Sequence, residues 1–297
     1  SVPTPAAPVA PMPEKKGHEA LSISTLPVKT KQSTLYSSSS SVTKIFLKLK
    51  QLINEAEASF LDESNSRILS ELEECLQNRN SKPNFSIPSG CFRLIEKLRD
   101  LLHPKKVFPV MDILRLLVLH PTAAEYFGNI GNNFVDLLIK DFILCDSPPS
   151  EPAQWLSARV ICNLCGAENA GKNMVAPSRI DSLMEIIMTG FESPVKQMRH
   201  TAATISFNAS LRCAGNSDII MQLLSAVCHT LTTAQLPDDV LFTLLMTLGR
   251  LVYKNQEALD LVEVLGVDVN VFLSNSSEKI QKAAKELQLL LQTPVEQ

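Results

Sequence analysis

From Val42 onward, apolar residues recur every three or four positions. Ile45, Leu49, Leu52 and Ile53 share one helical face, as do Ile68, Leu69, Leu72 and Leu76, with charged residues on the opposite side. Prolines punctuate the pattern. Pro83, Pro88, Pro104, Pro109, Pro121, the group Pro148, Pro149 and Pro152, and then Pro177, Pro194 and Pro237 fall between the periodic stretches, where the ring starts a helix or ends one. The spacing predicts roughly a dozen helices joined by short loops, with no convincing strand. The fold class is therefore all-α.

Four of these segments are apolar on nearly every side and carry a polar residue in mid-run. They are Asp112-Ile113-Leu114-Arg115-Leu116-Leu117, Val160-Ile161-Cys162-Asn163-Leu164-Cys165, Ile205-Ser206-Phe207-Asn208-Ala209-Ser210 and Met246-Thr247-Leu248-Gly249-Arg250-Leu251. Arg115, Asn163, Asn208 and Arg250 are separated by 48, 45 and 42 residues. A period in the low-to-mid forties is that of armadillo and HEAT repeats, in which helix pairs or triplets stack into a right-handed α-solenoid. The innermost helix of each repeat lines a concave groove, so these four side chains are expected to form a ladder along it. The competing reading is four unrelated exposed positions.

Composition adds the limits of that domain. Residues 1–41 hold Pro3, Pro5, Pro8, Pro11 and Pro13 and close on the unbroken run Ser37 to Ser41. Such a stretch buries too little apolar area to offset the cost of ordering it, so 1–25 is expected to be disordered linker. Residues 26–41 are expected to form an extended arm, 42–292 the helical domain and 293–297 a tail. The chain has 297 residues, 45% of them apolar, and 28 Lys and Arg against 31 Asp and Glu, a formal charge of −3. That balance, with no basic run interleaved with aromatics, makes a nucleic-acid binder a poor alternative. Lys44, Lys48 and Lys50 read as a solvated helix face, and no apolar run reaches membrane-spanning length. The seven cysteines are odd in number, scattered and set mostly in apolar surroundings, which fits a reducing compartment, cytoplasm or nucleus. Ser1 is no initiator Met and no signal sequence follows it, so the chain is expected to be the C-terminal part of a longer protein.

Two motifs look catalytic. Gly166-Ala167-Glu168-Asn169-Ala170-Gly171-Lys172 has the spacing of a phosphate-binding loop, but Asn173 stands where Ser or Thr would hold magnesium, and no strand precedes it. Cys162-Asn163-Leu164-Cys165 has redox spacing but lies inside or late in a helix, without the partners of a zinc site. The five histidines form no metal-binding spacing. The residues support no enzyme activity and no cofactor.

Val107-Phe108-Pro109-Val110-Met111-Asp112-Ile113-Leu114-Arg115-Leu116, followed by His120-Pro121, resembles a signature of the PUL domain. Three more matches follow in order: Arg159-Val160-Ile161-Cys162-Asn163 with Gly171 after it, Ala203-Thr204-Ile205-Ser206-Phe207-Asn208, and Leu248-Gly249 continuing to Leu265-Gly266-Val267-Asp268. Leu26-Pro27-Val28-Lys29 and Lys44-Ile45-Phe46-Leu47-Lys48-Leu49-Lys50 are similar to that family's arm and first helix, so the likeness spans about 26 to 292. The resemblance implies an armadillo-like, monomeric adaptor domain of the ubiquitin pathway. Its basic groove would dock the acidic C-terminal tail of the AAA unfoldase valosin-containing protein, with Arg115 matching the family motif and Arg159, Asn163, Asn208 and Arg250 beside it. One departure is Phe242-Thr243, where the family usually has Arg after the aromatic. The alternative is a structural solenoid whose groove is filled in cis or by another partner, attached to a thioredoxin-like or PPPDE isopeptidase module upstream.

Overall fold

A computed structural model of the chain describes residues 17–38, 41–79, 86–146 and 150–295. Among them there are helices and no strands: α1 (Val42–Glu57), α2 (Glu63–Asn78), α3 (Cys91–Leu101), α4 (Phe108–Leu117), α5 (Pro121–Gly128), α6 (Phe134–Leu138), α7 (Glu151–Gly166), α8 (Glu168–Met174), α9 (Ile180–Glu192), α10 (Lys196–Ser210), α11 (Ser217–Thr233), α12 (Asp238–Val252), α13 (Gln256–Val264) and α14 (Glu278–Gln292). Starts follow local chemistry. Ser41, Asp62, Ser150, Asn216 and Asn255 each accept a hydrogen bond from an orphan N–H of the helix they precede, and Pro109, Pro121 and Pro152 occupy first-turn positions where no N–H is needed.

Helices α4, α7, α10, α12 and α14 pack one on the next in succession, while α9, α11 and α13 pack behind them. The inner helices are buried almost all round: every residue from Thr201 to Ser210 of α10 is buried, as is the run Val160 to Gly166 of α7. An ordinary amphipathic helix hides one stripe. Here the second face is covered too, by the chain's own residues 17–38.

Glycines set the closest approaches. A Cβ built on Gly128 of α5 would stand 2.5 Å from Ala170 Cβ of α8 and 3.2 Å from its Cα, so backbone rather than a yielding side chain would have to move. Gly128→Ala is expected to destabilise the domain by about 1–3 kcal/mol, measured by chemical denaturation.

The expected boundary of the linker needs correction. Residues 17–25 pack against the C-terminal helices, beginning with a short 3-10 turn at Gly17–Glu19. His18 is buried, bonded through Nε2 to the carbonyls of Leu290 (3.0 Å) and Thr293 (2.7 Å), and its Nδ1 accepts the N–H of Lys254 at 2.9 Å. Leu21 and Ile23 pack partly buried against the core, and the rest of the ordering comes from helix-end carbonyls and a carboxylate far along the chain, which composition does not reveal. Residues 1–16 lie outside the described region.

Candidate functional site

The four residues of the sequence ladder lie on one face, each on a successive inner helix and each against the arm. Asn208 clamps Thr34: its Oδ1 accepts the Thr34 N–H at 2.9 Å and its Nδ2 donates to the Thr34 carbonyl at 2.8 Å. Asn163 does the same two residues on, accepting from Tyr36 N at 2.8 Å and donating to Tyr36 O at 3.3 Å. A carboxamide has the one donor edge and one acceptor edge that an extended peptide unit needs, and residues two apart face the same way on such a strand. Arg115 donates to the carbonyls of Tyr36 (2.6 Å) and Ser38 (3.1 Å), and Arg250 to those of Val28 (3.2 Å) and Thr30 (2.8 Å).

The same side chains stitch the repeats together. Asn163 Nδ2 also donates to Arg115 O at 2.9 Å, Asn208 Nδ2 to Cys162 O at 3.0 Å, and Arg250 Nε to Ser210 O at 3.3 Å. Three of the four rungs therefore satisfy a carbonyl of the preceding inner helix while reading the arm. Burial of Arg115, Asn163 and Asn208 is tolerable because their polar atoms are so used.

Sequence reasoning missed the last rung. Glu286 of α14 accepts from the N–H and hydroxyl of Ser24 and the N–H groups of Thr25 and Leu26, at 2.8–2.9 Å. Burial pushes its carboxyl up, but the donors on Leu26, Ser24 and Thr25 outweigh that and hold its pKa below the ordinary value. The arm thus runs from α14 past α12, α10 and α7 to α4, opposite to the order of the helices. Leu26 is 3% exposed and nestles over Gly249, where a Cβ would come within 2.8 Å of it. Arg212, just beyond α10, adds contacts to Cys165 O, Gly166 O and Ser33 Oγ. It could have been suspected from its place one turn after Asn208.

Cations gather where the arm leaves the groove. Arg79, after α2, donates to Ser37 O at 2.6 Å; Arg115 pairs with Asp112, its Nε 2.8 Å from Oδ1; the Arg159 guanidinium stacks between the rings of Tyr36 and Trp155, 4.4 Å from each centroid. Arg159 therefore reaches the arm by stacking rather than through the backbone. The Tyr36 hydroxyl is hydrogen-bonded to His200 Nδ1 at 2.6 Å and lies 3.3 Å from Thr204 Oγ1. Burial raises its pKa to about 12. Burial likewise lowers that of His200; Asp239 opposes, and Arg159 and Lys196 reinforce. Thr243, which follows Phe242, turns its hydroxyl back to Asp239 O of its own helix.

The catalytic-looking motifs resolve into packing. Gly166 closes α7 under the arm, and a Cβ there would meet Leu35 at 2.4 Å; a Cβ on Gly171 would meet the Cys165 carbonyl at 2.4 Å. Cys162 and Cys165 are buried within α7, the first with its thiol pKa well above the ordinary value and the second at about 12, both through burial. Cys91, Cys213 and Cys228 are also buried. A thiol reagent at pH 8 is expected to modify only Cys75 and Cys145 of the seven in the folded protein, and all seven in denaturant. No cluster of His, Cys, Asp and Glu among the described residues could hold a metal, and no described helix is long and apolar enough to cross a membrane.

Comparison with known proteins agrees with this architecture. Residues 27–286 match the PUL domain. Over 169 residues the chain is 28% identical to the phospholipase A-2-activating protein of Xenopus laevis, a match covering 56% of this chain and 20% of that protein. The chain therefore spans only a fraction of that relative's length. Among solved structures, a designed armadillo repeat protein in complex with the peptide (KR)4 superposes with a TM-score of 0.59 at 15% identity, covering 85% of this chain and 100% of that one. A second designed armadillo repeat protein gives 0.56 at 15% identity, covering 84% and 100%. At such identity these establish the fold alone.

Proposed function

Since the chain belongs to the PUL-domain family, we propose that it is a peptide-binding adaptor domain that docks the acidic C-terminal tail of the valosin-containing AAA unfoldase, serving ubiquitin-dependent protein turnover in the cytoplasm or nucleus. One observation carries the reading: Asn208 and Asn163 bracket the backbone of residues two apart, which is sequence-independent recognition of an extended peptide. An incoming tail takes these rungs from the arm. Its carboxylates meet Arg115 and Arg159 at the cationic end, so affinity is modest, on the order of micromolar, and falls with salt.

The test is fluorescence anisotropy with a labelled acidic C-terminal peptide of the unfoldase at two ionic strengths. Thr34→Pro deletes the N–H that Asn208 accepts while leaving an extended backbone, and should tighten peptide binding by weakening the arm. Arg115→Ala should weaken it by about 1.5–3 kcal/mol, and Arg250→Ala by less. Asn163→Ala should weaken it without changing the salt slope, since an amide brings no charge. Occupation of every rung by residues 24–38 favours a second reading, a solenoid permanently filled in cis. Absence of binding by both the parent chain and Thr34→Pro would select it.

A further inference from the structure

The serine run that closes the N-terminal segment begins inside the cationic cluster. Arg79 sits on the carbonyl of Ser37, Arg115 on those of Tyr36 and Ser38, and Arg159 on the ring of Tyr36. Three guanidinium groups thus touch three consecutive arm residues. The carboxylate paired with them is that of Asp112. Arg159 has no hydrogen-bond acceptor among the described residues, and its Nε is buried without a partner. Three cations against one carboxylate leave an excess of positive charge that is unfavourable alone and is relieved by an anion. Ser37 and Ser38 are exposed, so a modifying enzyme reaches them with the arm in place.

We propose that Ser37 and Ser38 are a phosphorylation site, and that a phosphate on either hydroxyl is held by Arg79, Arg115 and Arg159 and locks the arm into the groove. A serine/threonine kinase supplies ATP. The serine oxygen attacks the γ-phosphorus, the Oγ–P bond forms as the bond to the β–γ bridging oxygen breaks, ADP leaves and the hydroxyl proton passes to the kinase's base. The dianion then brings three acceptor oxygens to donors already within reach of the adjoining backbone. Because the phosphate occupies the cations that an acidic peptide needs, the lock also closes the groove to trans ligands. That second consequence rests on the proposed peptide-binding function; the tightening of the arm does not.

The experiment places phosphoserine at position 37 or 38 of the full chain during synthesis and follows amide hydrogen exchange at Thr34 and Tyr36. Exchange there should slow by about tenfold or more in at least one of the two proteins. The slowing should vanish when the phosphorylated and unphosphorylated forms are compared in an Arg79→Ala, Arg159→Ala background. Unchanged or faster exchange in both phosphoproteins overturns the proposal, as does slowing that survives loss of the two arginines. Exchange is read without any added peptide, so a failure of tail binding leaves this result intact and distinguishable. If the tail does bind, its affinity should drop in the phosphoprotein that shows the slowing.

Discussion

Removing residues 1–38 is expected to lower the melting temperature of the helical domain by about 10 °C and, in the same protein, to raise its affinity for an acidic extended peptide at least about tenfold. The stability estimate follows from what the arm buries. Leu26 and Val28 contribute about 1.5–3 kcal/mol each as apolar side chains withdrawn from water, and the backbone clamps add about 1 kcal/mol apiece, offset by the cost of ordering a segment of this length. Loss of the arm also uncovers inner faces that neighbouring helices leave open. Differential scanning calorimetry checks the first outcome and anisotropy the second. Unchanged melting would mean that the arm contributes nothing net, and unchanged affinity would mean that peptide and arm do not share the rungs.

The second large effect concerns acid. His200 and Glu286 both have pKa values lowered in the folded state, so each contributes stability that is present above its unfolded value and is lost as pH falls through its folded one. For His200 the loss begins below the ordinary value of 6.5, and for Glu286 below 4.5. The Tyr36 end of the arm is therefore expected to loosen first on acidification, and the Ser24–Leu26 end only at lower pH. Glu286→Ala should abolish the second step and cost about 2–4 kcal/mol of arm docking at neutral pH, because it strands three backbone donors. Glu286→Gln, which keeps one acceptor oxygen, should cost less. Amide exchange at Leu26 and Tyr36 across the pH range separates the two ends.

The solenoid was legible because its inner helices break the usual amphipathic rule. A polar residue inside an otherwise apolar helix must have a built partner, and four of them at a forty-odd-residue period defined a groove. What stayed open was whether the groove is filled in cis or by another chain. Asn163 and Asn208 predict a backbone to hold, but nothing local says that the backbone belongs to residues 34 and 36. Glu286 was invisible for the opposite reason: α14 is amphipathic, with Lys282 and Lys285 nearby, and one more charge on such a helix carries no signal. His18 was lost among prolines and serines, since its partners are carbonyls more than 270 residues away. Arg159 was placed near the groove from family likeness, and its role as a stacking cation depends on Trp155 and Tyr36 meeting it from two sides.

Stacked-repeat proteins ordinarily fold through contacts between adjacent units, and so assemble quickly and in any order. The link between Ser24 and Glu286 spans 262 residues and breaks that locality. During synthesis the arm leaves the ribosome before any of the helices it lies on, and α14, which carries its anchor, is the last of them. The groove must be nearly complete before its occupant can settle, so throughout translation the nascent chain carries a tethered ligand without a finished receptor. Refolding should accordingly show a fast phase for helix stacking and a later one for arm closure, and a fluorophore pair on the exposed neighbouring positions 22 and 285 would resolve the two while leaving the Glu286 anchor intact.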